Sequence, residues 1–155
     1  MRQLLLILVT VLVLSIGVVA FGTNQQRVGN IRSKKIADGC GCYLQFPGTK
    51  RQSEKYVFFS SIEDSDEREA WMNLDGKDVK LYLRRKSDPK GKERIGSVSN
   101  RRYVARGIVV DATYVATSVC RVDDESCEFT GYAATFKVTV QGRSQMLKAV
   151  GGCGC

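Results

Sequence analysis

Histidine is absent from all 155 residues. That absence removes Ser-His-Asp and Cys-His nucleophile systems, His-ligated zinc, imidazole general bases and histidine pH switches. Other catalytic signatures are missing too. The serines have no Gly-x-Ser-x-Gly elbow, there is no glycine-rich phosphate loop, and no Cys-x-x-Cys pair sits in a βαβ setting. Paired carboxylates for glycoside hydrolysis need a cleft and defined separations, and the pattern shows neither. The acids between Glu63 and Glu69, and those at Asp123, Asp124, Glu125 and Glu128, lack the alternating ligands and central glycine of an EF-hand. The chain therefore reads as a non-enzyme with no metal and no cofactor.

What is present describes one globular domain behind a leader. Hydrophobic residues make up 43% and charged residues 26%, an ordinary globular balance at single-domain length. Residues 4–21 form an uncharged apolar run broken only by Thr10, Ser15 and Gly17, after one basic residue, Arg2. A bilayer-spanning helix needs about 20 residues, while signal-peptide cores run about 7–15. Residues 1–22 thus read as a signal peptide or a membrane anchor. Ala20 and Gly22, or Val18 and Ala20, offer a cleavage site. Arg27, Arg32, Lys34 and Lys35 after the run oppose an external C-terminal domain for an uncleaved anchor, whereas the cysteines argue for export. Residues 23–38 are polar and basic and read as a flexible tether. Residues 39–155 are the folded domain.

Six cysteines, Cys40, Cys42, Cys120, Cys127, Cys153 and Cys155, all follow the leader. An even set in an exported chain reads as disulfides. The unit Gly-Cys-Gly-Cys occurs at residues 39–42 and again at 152–155, while Cys120 and Cys127 bracket an acidic loop, 121–126. Six cysteines allow 15 connectivities. The preferred one joins Cys120 to Cys127 across a hairpin base and ties the two terminal units to each other. The rivals are a zinc-thiolate cluster, for which one intervening residue is too few, and a redox pair.

From Tyr43 onward the period is two. Residues 56–59 form a compact β run, and in 78–84 Val79, Leu81 and Leu83 face a core. Residues 61–72 begin with serine and clustered acids and end in Ala70-Trp71-Met72, which predicts one short helix. Residues 103–119 read as one bent strand or two meeting near Gly107. In 131–140 Tyr132, Ala134, Phe136, Val138 and Val140 point one way, Gln141-Gly142 turns, and 144–150 returns. The expected fold is all-β: a small antiparallel barrel or sandwich of five to six strands with one short helix, after an N-terminal hydrophobic helix.

The net charge of +8 is uneven: residues 77–106 carry eleven bases and three acids, and residues 63–76 carry six acids and one base. Residues 84–102 read as a long basic loop, with Arg84, Arg85, Lys86, Arg101 and Arg102 as the candidate anionic-surface set. Such a loop attracts an anionic envelope polymer or lipid headgroups, at roughly 1 kcal/mol per base near an anionic membrane, or merely keeps the protein solvated. Without interleaved aromatics on which bases stack, nucleic acid is excluded as a partner. The functional expectation is an exported, non-catalytic binding or interaction module of the cell envelope or extracellular space, touching the membrane through residues 4–21 if the leader is retained. The alternatives are a small inhibitor of an extracellular hydrolase, acting through 121–126, and a membrane-anchored zinc-thiolate protein.

Overall fold

The computed structural model describes residues 27–50, 53–63, 66–121 and 127–155, and every regular element among them is a β-strand. The strands are β1 (Val28–Gly29), β2 (Gly41–Gln45), β3 (Phe58–Glu63), β4 (Asp66–Leu74), β5 (Lys77–Ser87), β6 (Val98–Ala105), β7 (Ile108–Ser118), β8 (Phe129–Val140) and β9 (Arg143–Gly154). The leader lies outside the described residues. From β2 to β9 each strand pairs antiparallel with the next, and β9 pairs back with β2, so eight strands close a barrel. Glycine at left-handed dihedrals makes the tight reversals: Asp75-Gly76 (φ 50 and 80°) joins β4 to β5, and Gln141-Gly142 (φ 48 and 81°) joins β8 to β9.

An eight-stranded barrel is just wide enough for side chains to fill its interior. Here they do. Leu44, Phe58, Met72, Leu81, Tyr103 and Phe136 are fully buried on the inner face, and the Phe58 ring lies 4.8 Å from Phe136 and 5.4 Å from Tyr103. Each side chain of this size, once fully buried, contributes about 1.5–3 kcal/mol. The interior is core and not a ligand chamber.

The all-β class stands, but among the described residues the expected short helix is strand, and the strands number more than six. Residues 61–63 complete β3, and 66–74 return as β4. Ala70, Met72 and Leu74 alternate inward, but between Ser60↔Ala70 and Ile62↔Glu67 β4 carries one extra residue. That bulge breaks the period of two and turns Glu67 inward, so the segment loses its strand signature. The expected basic loop is shorter than its composition suggests: β5 runs to Ser87 and β6 starts at Val98, leaving residues 88–97 as loop.

The barrel closes where β2 meets β9, and the terminal cysteine units form this seam. Cys42 and Cys153 are direct cross-strand partners and are bridged; Cys40–Cys155 is bridged one step beyond, and Cys120–Cys127 is the third disulfide. Alternation puts the cysteines on one face and Gly41 and Gly154 on the other. A Cβ on Gly41 would collide with the Phe59 ring and the Ser60 carbonyl, and one on Gly154 with the Glu128 carbonyl. Glycine is therefore required at both positions.

Residues 27–33, basic and tether-like in composition, are docked on the barrel. Val28 and Gly29 pair with Leu74 and Asn73, and Ile31 N–H donates to Tyr56 O at 2.7 Å. Asp78 anchors the strap, accepting from Arg32 N–H at 3.0 Å, Ser33 N–H at 2.9 Å and the Asn73 amide at 2.7 Å. Burial pushes the Asp78 carboxyl up, but the bonds from Asn73, Ser33 and Arg32 and the Arg32 charge outweigh it, so its pKa lies below the ordinary value.

Two outcomes are expected. A seam bridge spans 115 or 111 residues and Cys120–Cys127 only 7. In the chain-entropy model the first seam closure is worth about 4–5 kcal/mol and the short loop about 2–3 kcal/mol. Either seam bridge keeps that long loop closed. Urea unfolding of Cys42→Ser/Cys153→Ser should therefore show a small loss, and of the variant lacking all four seam cysteines a loss exceeding that of Cys120→Ser/Cys127→Ser. For Asp78, the depressed folded pKa means that its contribution is complete above the unfolded-state pKa of about 3.9 and is lost as pH falls through the folded value. Exchange of the Arg32 and Ser33 amides, corrected for intrinsic rates, should accelerate over that acid range in the wild type. In Asp78→Asn it should be fast throughout.

Candidate functional site

All six cysteines are consumed in disulfides, so no thiolate remains for zinc, and among the described residues no cluster of three or more acids or cysteines could hold a metal. Three disulfides suit an oxidising, extracytoplasmic environment. Residues 122–126, most of the expected inhibitory loop, lie outside the described residues; the structure shows the bridge that brackets them.

β5 and β6 bring the five candidate anion-binding residues together, Arg85 opposite Arg102 and Lys86 opposite Arg101, but Arg101 turns inward. Arg101 is a correction: its side chain is 11% exposed and points into the end of the barrel. Its Nε donates to Glu67 Oε2 at 2.8 Å and its Nη1 to Asp88 Oδ1 at 2.7 Å. Burial alone would lower the guanidinium pKa, but Glu67 and Asp88 more than reverse this. Arg102 faces outward and pairs with Asp111 through both its Nε (2.6 Å) and its Nη2 (3.1 Å). Lys86 lies 3.5 Å from Asp88. Arg84 and Arg85 are exposed at the β5 bulge opposite Arg102. Alternation along β6 turns Arg101 inward with Tyr103 and Arg102 outward.

Around Arg101 a polar plug closes one end of the barrel. Tyr103 donates its hydroxyl to the second Glu67 oxygen, and Tyr132 donates to Glu93 Oε2 at 2.7 Å. Burial, reinforced by neighbouring Tyr114 and Glu67, holds the Tyr103 phenol well above its ordinary pKa; burial and then the bond to Glu93 do the same for Tyr132. Both remain neutral donors. Asp88 and Glu93 belong to the 88–97 loop, so the plug also latches that loop over the barrel end. Tyr103 is fully buried and out of substrate reach.

An open concavity lies on the outside of the barrel, across β7, β8, β9 and β2. It encloses about 600 Å³ and is floored by Gly131 and Gly151. Its walls are Tyr43 and Tyr56 on one side and Phe129 and Val150 on the other, with Gln45, Thr117 and Ser118 supplying neutral polar groups. Tyr43 is wedged between Tyr56 and Phe59, with ring centroids at 5.1 and 4.9 Å, and its hydroxyl donates to Gly39 O. Burial, followed by the nearby Tyr56 and Asp38, raises the pKa of that hydroxyl. Phe129 lies against Gly152, where a Cβ would strike the ring, and stays 48% exposed. This is aromatic cover of a strand glycine, which leaves the outer ring face free. Sequence reading missed the groove. The available signal was the glycine pair 151–152 inside a strand, since interior strand glycines mark close approach of a ligand or another backbone.

An apolar row adjoins the groove. Val98, Val115, Ala133 and Val150 are cross-strand neighbours on the outer face, and the three valines are 37–48% exposed. No protein-family model matches the chain, nor does any curated protein or solved structure.

Truncating the two adjacent arginines separates plug from surface. Arg101→Ala strands the buried Glu67 charge and should cost about 3 kcal/mol in urea unfolding, the low end for breaking a buried pair. Arg102→Ala opens a solvent-screened pair and should leave the midpoint nearly unchanged. Equal effects would contradict the inward placement of Arg101.

Proposed function

We propose that this protein is an exported, non-catalytic binding module of the cell envelope or extracellular space, and that its ligand occupies the outer groove. The observation that carries this reading is the contrast between a barrel interior filled by side chains and an open, aromatic-walled groove of about 600 Å³ on its surface. That volume falls within the roughly 300–1,000 Å³ of small-molecule sites. The disulfides and the apolar leader support export, with the leader acting as signal peptide or anchor. The groove lies on a sheet face, so a partner there docks on the face instead of extending the sheet. The exposed Arg84 and Arg85 add local attraction to an anionic envelope surface without forming the site itself.

Photo-cross-linking in the producing cells tests this. A benzophenone amino acid replacing Phe129 at the groove wall should give one discrete adduct. The same probe at Tyr82, exposed on β5, should give none. Absence of an adduct at Phe129, or the same adducts from both positions, would contradict the assignment.

A further inference from the structure

The lining of the groove narrows its ligand, on the premise that the groove is the binding site. We propose that it binds an uncharged carbohydrate. Among the described residues no lysine, arginine, aspartate or glutamate lines it, although a quarter of the chain is charged and the net charge is +8. Burying an anion or a cation there would leave its charge unpaired. The charged outer faces lie elsewhere, for example in the row Arg85, Arg102, Asp111 and Lys137 across β5 to β8.

Three further observations point to a sugar. A pyranose has an apolar face of C–H groups and a rim of hydroxyls. The free face of Phe129 and the Tyr43–Tyr56 pair meet the first requirement, and Gln45, Thr117 and Ser118 meet the second. Gln45 is held in place by donating its amide to Ser53 O, and Ser118 Oγ accepts from Gly131 N–H at 3.1 Å, leaving its own O–H to donate. A lipid tail would satisfy the rings but desolvate these polar groups without a bond. An extended peptide would bring backbone donors and acceptors to a floor whose own backbone groups are already paired, Gly131 with Gly152 and Gly151 with Leu44. The volume of about 600 Å³ holds roughly two or three pyranose rings.

The test is amide chemical-shift titration of the disulfide-intact exported protein with neutral trisaccharides: glucan, mannan, galactan, xylan and N-acetylglucosamine trimers. Trigalacturonate serves as the charged control. At least one neutral trimer should shift the Gly131 and Gly151 amides, with a dissociation constant of about 1 mM or tighter. Phe129→Ala should weaken it at least tenfold. Because Phe129 also covers Gly152, Tyr56→Leu and Thr117→Ala serve as second variants, and each should weaken binding with the spectrum otherwise retained. Tyr82→Ala should have no effect. The inference is overturned if no neutral trimer shifts these amides by about 10 mM, if only trigalacturonate binds, or if the shifts map to β5 and β6. A cross-link at Phe129 without saccharide binding would overturn the carbohydrate assignment alone, whereas loss of both would overturn the binding reading too.

Discussion

Closure of β9 onto β2 is the contact on which everything else depends. Eight strands laid side by side have two raw edges, and only their union satisfies the remaining backbone donors and acceptors. The chain brings poor strand formers to this junction. β2 has five residues, and the last turn of the pairing is built from Gly41, Gly151, Gly152 and Gly154. Glycine weakens a strand because it is disordered in the unfolded chain and packs nothing. The Cys40–Cys155 and Cys42–Cys153 bridges offset that weakness by keeping the two ends together even in the unfolded chain. The glycines, in turn, allow the close approach, and the rings of Phe59 and Phe129 cover Gly41 and Gly152. The same absence of side chains hollows the outer surface between Tyr43 and Phe129. One constraint therefore closes the fold and shapes its groove.

Charge is arranged around this frame in two unlike ways. Inside the barrel end, Glu67 and Arg101 are paired, Glu67 also accepts from Tyr103, and Arg101 also binds the half-exposed Asp88, which makes the burial of the pair tolerable. Outside, Arg102 and Asp111 face water across β6 and β7, where the pair contributes to solubility and local field more than to stability. The plug ties the 88–97 loop down at the end where the seam disulfides sit. The groove wall therefore rests on parts of the barrel that are fixed by covalent bonds and by a buried ion pair.

Much of the fold was legible in the sequence. The alternation from Tyr132 to Val140 and from Val79 to Leu83 reported which side chains face inward, and the matched Gly-Cys-Gly-Cys units pointed to joined ends. The failures have local physical origins. The bulge in β4 inserts one residue, so Glu67 reaches the interior against the local period, whereas Arg101 follows the period of β6 inward as a charged residue at a core-facing position. Serine and acids at a hairpin tip resemble a helix N-terminus, because both need polar groups near a chain reversal. The groove was invisible for another reason. Tyr43, Tyr56, Phe129 and Gly151 are far apart in sequence, and only closure of the seam puts them side by side.

Seam closure is tested most directly by hydrogen exchange at the amides of β2 and β9, in the oxidised protein and after reduction. With the bridges intact, Tyr43, Leu44, Gly151 and Gly152 should exchange as slowly as core residues such as Phe136. After reduction these four should become fast while Phe136 and Val138, on the far part of the meander, keep substantial protection. Protection at the seam that is indifferent to reduction would contradict the central role of the disulfides in holding this barrel closed.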